Sequence, residues 1–412
     1  MSTSVFINPT AFEAGLEAAY RMRSTTSETQ TAAFERFAKL GLPNRRVEGW
    51  KWSDFHNALR TRDIAAGRVE GERPSSAFDA LNPVEFLIED GRIHLPEGAA
   101  PSALRFGVVD PVGTIAELEA HSIVALNVAM TRKALGVEIA DGAVLDRPVH
   151  IRHINTGAGQ SFAQTLVRVG KGADVTLIET YEGRNKGFYS HLNHMAVRDG
   201  AKIRRYVLQN KGADCIIHGV CAAKVEAAAN FSQTSLSTGA GLSRHETIVH
   251  FWGDDAAANL NSAALVADKR HADFTSIILH KEESGTVRQL HKGVATDRGR
   301  AIFQGKFEVE RKAQKTDAQM TANALLLTDG AEANHKPELE IYADDVECAH
   351  GSTCGALDSD ALFYLRQRGL SATQARALLI EAFAGEAIAA IDRDDIRSVF
   401  EKKLNDWLEA HA

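Results

Sequence analysis

Cysteine is scarce, with four in 412 residues. So few cannot build a disulfide framework, which predicts a reducing compartment, the cytoplasm. Proline is scarce too, at nine, and with 44% hydrophobic and 25% charged residues this excludes collagen-like, disulfide-stapled and disordered classes. The most apolar stretch, residues 377–391, is broken by Glu381 and Glu386 and falls short of about 18 uncharged apolar residues, so no membrane span is expected. The opening Met1-Ser2-Thr3-Ser4-Val5-Phe6 lacks a basic segment leading into an apolar one, and no secretory signal is expected. Neither charge sign dominates: 47 Lys+Arg against 54 Asp+Glu leaves −7, which argues against nucleic acid as the main partner.

Enzyme signatures are missing as well. Gly299 through Gly305-Lys306-Phe307 approaches a phosphate loop, but it has one residue too many and Phe where Ser or Thr must hold magnesium. Gly157-Ala158-Gly159 and Gly239-Ala240-Gly241 lack the third glycine of a dinucleotide loop. This chain is therefore expected to bind no nucleotide itself. In His245-Glu246-Thr247-Ile248-Val249-His250 the histidines are five apart, not the four a helical zinc site needs, and on a strand they would face opposite ways. No serine nucleophile elbow is present.

The chain does carry three regions of different character. Residues 1–80 read as a helical region, with Phe12, Leu16, Ala19 and Tyr20 on one helix face and Phe34, Phe37, Ala38 and Leu40 on another. Trp50, Trp52 and Phe55 follow in a dense aromatic segment, whose first reading is packing onto a neighbouring unit and whose second is a ligand site. From 81 to 355, with a helical excursion near 112–136, small residues recur before alternating stretches. The openings Gly142-Ala143, Gly172-Ala173, Gly200-Ala201, Ala228-Ala229 and Ala257-Ala258 lie 30, 28, 28 and 29 residues apart, and Gly285 follows after 28. Period-two alternation marks strands. A strand-rich repeat of this length predicts a mainly β fold, a right-handed parallel β-helix, flanked by helical regions at both ends. From 356 to 412 the pattern is helical again: Ser371 and Gln374 form a capping box, and Ile396, Val399, Phe400, Leu404, Trp407 and Leu408 make an i, i+3, i+4 stripe.

One constellation is compatible with metal chemistry. Cys348 and His350 are two apart, so on a strand both face the same way, as thiolate and imidazole suited to iron, copper or zinc. Two donors cannot close a site, and the plainer reading is a buried cysteine beside an exposed histidine. Cys354 lies beyond Gly351, so its direction is open. Cys215 and Cys221 sit in repeat strands and read as core.

Several longer runs carry a resemblance. Pro43-Asn44-Arg45-Arg46, Glu48-Gly49-Trp50-Lys51, Gly305-Lys306, Gln314-Lys315-Thr316-Asp317-Ala318, Asn323-Ala324-Leu325-Leu326-Leu327, His335-Lys336-Pro337-Glu338-Leu339-Glu340-Ile341, Asp345-Val346-Glu347-Cys348-Ala349-His350-Gly351 and Tyr364-Leu365-Arg366-Gln367-Arg368-Gly369-Leu370 together resemble the SufB/SufD family of iron–sulfur cluster assembly. The match is dense over 305–370. SufB chains are usually longer and carry additional amino-terminal cysteines, whereas this one has none before residue 215. The resemblance implies a non-catalytic scaffold that pairs with a SufB subunit through the β-helices and docks the ATPase SufC on its carboxy-terminal helices. Tyr364, Leu365, Arg368, Gly369 and Leu370 are the implied docking residues. It also implies a transient iron–sulfur cluster, or iron, shared with SufB, with His350 as the stronger ligand and Cys348 in support. A homodimer of the isolated chain is a further expectation; a reduced flavin is compatible with the family, but no residue pattern points to one.

Two rival classes remain at this level. A carbohydrate-active β-helix enzyme should present paired carboxylates, for which Asp254-Asp255 and Asp344-Asp345 are the candidates. An architectural interaction protein would leave Cys348 and His350 without a chemical role.

Overall fold

The computed structural model of the chain describes residues 6, 8–60, 74–157, 159–183 and 186–411. The stretch 61–73 of the expected amino-terminal helical region lies outside them.

The alternating segments form strands, and from Val149–Ile154 onward each pairs in parallel with the next strand but one. Asp174 lies opposite Lys202, Lys202 opposite Asn230, and Asn230 opposite Ala257. Each coil thus gives one strand to each of two sheets, of ten and nine strands, in a parallel β-solenoid of about eight turns.

A corner sets the coil length. At Gly142, Gly172, Gly200, Ala228, Asp255, Ser284 and Lys315 the backbone takes a φ between 53° and 67°. Each of these residues also donates its N–H to a carbonyl of the following coil: Gly172 to Asp199, Gly200 to Ala227, Ala228 to Asp254, Asp255 to Glu283. The repeats expected to open at Ala257 and Gly285 are therefore displaced, because the corners are Asp255 and Ser284. What the corner requires is a left-handed backbone angle, which Asp255 and Ser284 adopt here in place of Gly, so alignment on small side chains slipped by two residues and by one.

Inward residues such as Val175, Leu177, Val197, Ile203, Phe231, Val249 and Phe251 stack into one continuous core, which Cys221 joins. Cys215 is fully buried in a smaller cluster beside it. The outer faces are covered by the two ends of the chain. Helices α1 (Ala11–Arg21), α2 (Glu28–Leu40), α3 (Phe55–Leu59) and α4 (Ser122–Met130) pack Phe12, Phe37, Phe55 and Leu126 against Phe188, Leu192, Ile216 and Val220 of the nine-stranded sheet. Helices α5 (Ser359–Gln367), α6 (Ala372–Ile388) and α7 (Asp394–His411) follow the last strand. The stripe on α7, with Ile380 and Ala384 of α6, covers Tyr206, Leu236, Ala263 and Val294 of the ten-stranded sheet.

The two ends of the solenoid differ. At the first, antiparallel partners close the sheets, Arg92–His94 against Val84–Glu89 and Leu104–Val109 against Ala134–Ile139. At the last, Glu332–Ile341 and Val346–Gly355 are outermost in their sheets.

The corners make a direct prediction. Ala228→Gly relieves a left-handed alanine, and Gly200→Ala creates one; each should change the unfolding free energy by about 1 kcal/mol, upward and downward respectively. Urea titrations of the two variants check the sign.

Candidate functional site

The last coil exposes what the other coils cover. Along Val346–Gly355 the register places Cys348, His350, Ser352 and Cys354 beside Ala318, Met320, Ala322 and Ala324 of the preceding coil, all four of them buried. The row containing Cys348, His350, Ser352 and Cys354 therefore faces the solenoid axis. His350, Ser352 and Cys354 are exposed and Cys348 is half-buried. Gly351 continues the strand in regular register opposite Thr321, so Cys354 shares the face of His350. Cys348 packs against the core ends, and burial pushes its thiol up. Across the coil, His335 of Glu332–Ile341 sits beside Phe303 in register, and its Nδ1 lies 2.8 Å from Ser352 Oγ. Burial lowers the His335 pKa, leaving a neutral ring. Sequence spacing missed His335 because its neighbour is 17 residues away. The available signals were its inward position on an alternating strand and its place at the head of the 335–341 run.

The expected docking residues occupy a different surface. Helix α5 buries none of its residues. Phe363 and Tyr364 are 64% and 57% exposed, and Arg368 lies over the Tyr364 ring at 5.0 Å. Gly369, at φ 96°, ends the helix, and Leu365 and Leu370 are half-buried.

Among the described residues, two further groups bring three ligand atoms within 4.8 Å: His121, His218 and Glu246, and His153, Glu179 and His191. In the first, His121 Nε2 and His218 Nε2 lie 2.8 and 2.6 Å from Glu246 Oε1, and Arg244 donates to Oε2 at 3.1 Å. His121 Nδ1 accepts from the Val124 N–H that opens α4, so the ring proton is on Nε2, where a metal would need a lone pair. Trp50 lies over Arg244 at 4.2 Å and packs on His121, His218 and Phe55. Ser53 donates to Asp273, which also pairs with Arg244 at 2.7 Å. This network fastens the aromatic segment to the solenoid, which is the packing reading of Trp50 and Phe55. In the second group Glu179 is already held by Arg205 at 2.9 Å, by Asn193 at 3.1 Å and by Tyr181. A cation there would meet Arg205, so the group reads as a buried ion pair. His245 and Glu246 face opposite ways: His245 stacks on Phe274 of the interior while Glu246 binds the outer network.

Comparison with known proteins matches residues 152–383 to the SUF system FeS cluster assembly, SufBD core domain. That span is more than half of the chain and includes the open coil. The chain belongs to the SufB/SufD family. It is 29% identical over 383 residues to the iron-sulfur cluster assembly protein SufD of Escherichia coli (strain K12), covering 88% of each chain. It is 30% identical over 407 residues to protein ABCI7, chloroplastic, of Arabidopsis thaliana, covering 92% of this chain and 83% of the relative. A SufBD family protein of Synechocystis sp., slr0076, is 26% identical over 87% of this chain and 86% of its own length. The family and these relatives give the chain a role in iron–sulfur cluster assembly and make it SufD-like. One relative is chloroplastic, so family membership does not by itself fix the compartment. No helix among the described residues is long and apolar enough to cross a membrane.

Buried histidines give the fold a pH limit. Burial lowers His218 and His271 to about 4 and His245 to about 3. The unfolded chain protonates such groups near 6.5. Between about 6.5 and 4 the unfolded state therefore binds more protons, and stability that is complete above 6.5 falls as the pH drops. Each group contributes a loss of roughly 3 kcal/mol by pH 4. Urea midpoints should be flat from pH 8 to 7 and fall from 7 to 5; a midpoint unchanged at pH 5 would contradict this reading.

Proposed function

We propose that this chain is the SufD-type scaffold subunit of a SUF complex, pairing through its open coil with a SufB-type subunit. The observation that carries this reading is the last coil: two outermost ten-residue strands, Glu332–Ile341 and Val346–Gly355, with Cys348 half-buried and His350 exposed on the inward row of the second. Uncovered strand edges of this length present unpaired N–H and C=O groups and favour β-pairing with another chain. At that junction a nascent cluster, as cargo, would be bound by His350 with Cys348 in support, and the partner would supply a further cysteine. Pairing of the same edge with a second copy of the chain is the alternative expected of the isolated protein.

The division into a helical region at 1–80, a β-helix core at 81–355 and a helical region at 356–412 gives each part a task in this scheme. The first and last would brace the solenoid, and α5 with α6 would dock the SufC-type ATPase. Exposed Phe363 and Tyr364, with Leu378 at 44%, support that docking face. ATP hydrolysis would then belong to the partner. The carbohydrate-enzyme reading has less support. The Asp254 carboxylate accepts the Glu283 N–H, and the backbones of Asp255 and Asp345 build solenoid corners, so these positions serve the coil.

Anaerobic copurification with SufB-type and SufC-type subunits from the same source, with iron and sulfide assayed, tests the reading. His350→Ala should preserve the complex and lose cluster formation. Tyr364→Glu combined with Leu365→Glu should release the ATPase subunit while leaving SufB-type pairing intact. Cluster formation undiminished in His350→Ala would remove the ligand assignment, and no association with a SufB-type subunit would overturn the proposal.

A further inference from the structure

The amino-terminal helices leave part of the nine-stranded sheet uncovered. Along Gly159–Val169, Gly187–Val197, Cys215–Val225 and Leu242–Phe251, the residues Val167, Met195, Ala223 and Val249 lie side by side and belong to the core. Their chain neighbours therefore point outward. Leu166, His194 and Ala222 form one outward row, and Arg168, Ala196, Lys224 and His250 form the next. The helical cover packs on earlier parts of these strands, at Phe188, Leu192, Ile216 and Val220. Beyond it, the two outward rows and the segment 115–117 enclose a groove of about 600 Å³.

This groove has an apolar floor and a charged rim. Leu166 and Ala196 are half-buried and Ala222 is buried. Trp252 follows the last of the four strands and closes one side with a ring that is 51% exposed. Its Nε1 donates to His250 Nδ1 at 3.4 Å, and His250 Nε2 lies 3.3 Å from Glu117 Oε1. Lys281 meets the same oxygen at 3.3 Å, so the one carboxylate lining the groove already has partners. Lys224 holds its ammonium over the Trp252 ring at 4.5 Å, with Glu226 at 3.5 Å. An ammonium has three donors, so it can serve a further anion. At the floor, His194 Nε2 is buried and has no hydrogen-bond partner among the described residues. Burial lowers the pKa of this ring to about 4 and leaves it neutral. Such a nitrogen costs free energy until a polar atom meets it.

We propose that the groove is a binding site for a small aromatic acid of one or two rings. The ring packs on Trp252 and on the floor of Leu166, Ala196 and Ala222. Its acid group pairs with Lys224, and a ring hydroxyl or ring nitrogen meets His194 Nε2. Apolar walls with a few converging polar groups are the usual make-up of a small-molecule site. An exposed indole favours a flat ring, which it can stack or meet edge-on. Arg168, Lys224 and Lys281 against Glu117 alone make the lining positive, which selects an anion. The four strands lie several coils from Glu332–Ile341 in the same sheet, so the site is independent of pairing at the open coil.

Two fluorescent probes test the assignment on the full-length chain: anilinonaphthalene sulfonate, a two-ring anion, and phenylnaphthylamine, the same skeleton without the acid. One sulfonate dye per chain should bind and be excited through tryptophan. Trp252→Phe should remove most of that energy transfer and keep the affinity, whereas Trp252→Ala should weaken binding about tenfold. Lys224→Glu should weaken the sulfonate by roughly tenfold and leave phenylnaphthylamine unchanged. Lys202→Glu, on the ten-stranded sheet, should affect neither. The best hydroxynaphthoate isomer should displace the dye about tenfold more readily than naphthoate does, and His194→Phe should erase that advantage. No binding, several dyes per chain, equal effects of Lys224→Glu on both probes, energy transfer unchanged in Trp252→Phe, or no hydroxyl advantage would overturn the site. Displacement of the dye by a SufB-type or SufC-type subunit would make the groove a protein interface and overturn it as well.

Discussion

Backbone pairing between successive coils is the constraint on which the rest of the molecule depends. Each corner residue must hand its N–H to the next coil, so coil length is fixed and side chains fall into register from one turn to the next. A stack of this kind has two ends that the pairing rule cannot complete. Antiparallel strands complete the first. The last retains its free edge, and Cys348 and His350 stand on its final strand.

Register also explains an interior that is not uniformly apolar. The strand halves near the corners stack Val, Leu, Ile and Phe, whereas further along the same strands the inward positions hold Glu179, Tyr181, His191, Arg205, Gln233 and Thr247. Those groups satisfy one another across coils: Arg205 bridges Glu179 and Gln233, and Gln233 reaches Thr247 at 3.0 Å. Removing one member would leave a buried partner unpaired, a far larger cost than the net value of the bond itself. A second charged network, from Trp50 and Ser53 through Arg244, Glu246 and Asp273, lies on the outside and holds the amino-terminal region to the sheet.

Much of the fold was legible because solenoids write their period into the sequence. Alternation gave the strands, the stripe on α7 gave its buried face, and Cys215 and Cys221 were readable as core. The repeat itself slipped where Asp255 and Ser284 replaced glycine, because a backbone angle, unlike hydrophobicity, is shared by chemically different residues. Cys348 and His350 were visible through their spacing of two. His335 and the partners of Trp50 were not, since those contacts join strands or segments far apart in the chain. Trp50 meets Arg244 and His218 only after folding. The direction of Cys354 depended on whether Gly351 broke the strand, and the backbone register shows that it does not.

The central claim is that the last coil is an edge awaiting a strand from a partner. Hydrogen–deuterium exchange over 332–341 and 346–355 tests it most directly, in the isolated chain and in complex with a SufB-type subunit. The account predicts rapid exchange at the outward-facing amides of these strands in the isolated monomer and strong protection in the complex, with the corner amides of earlier coils unchanged. Equal exchange at 332–341 and 346–355 in both states, with protection appearing on another surface, would contradict it.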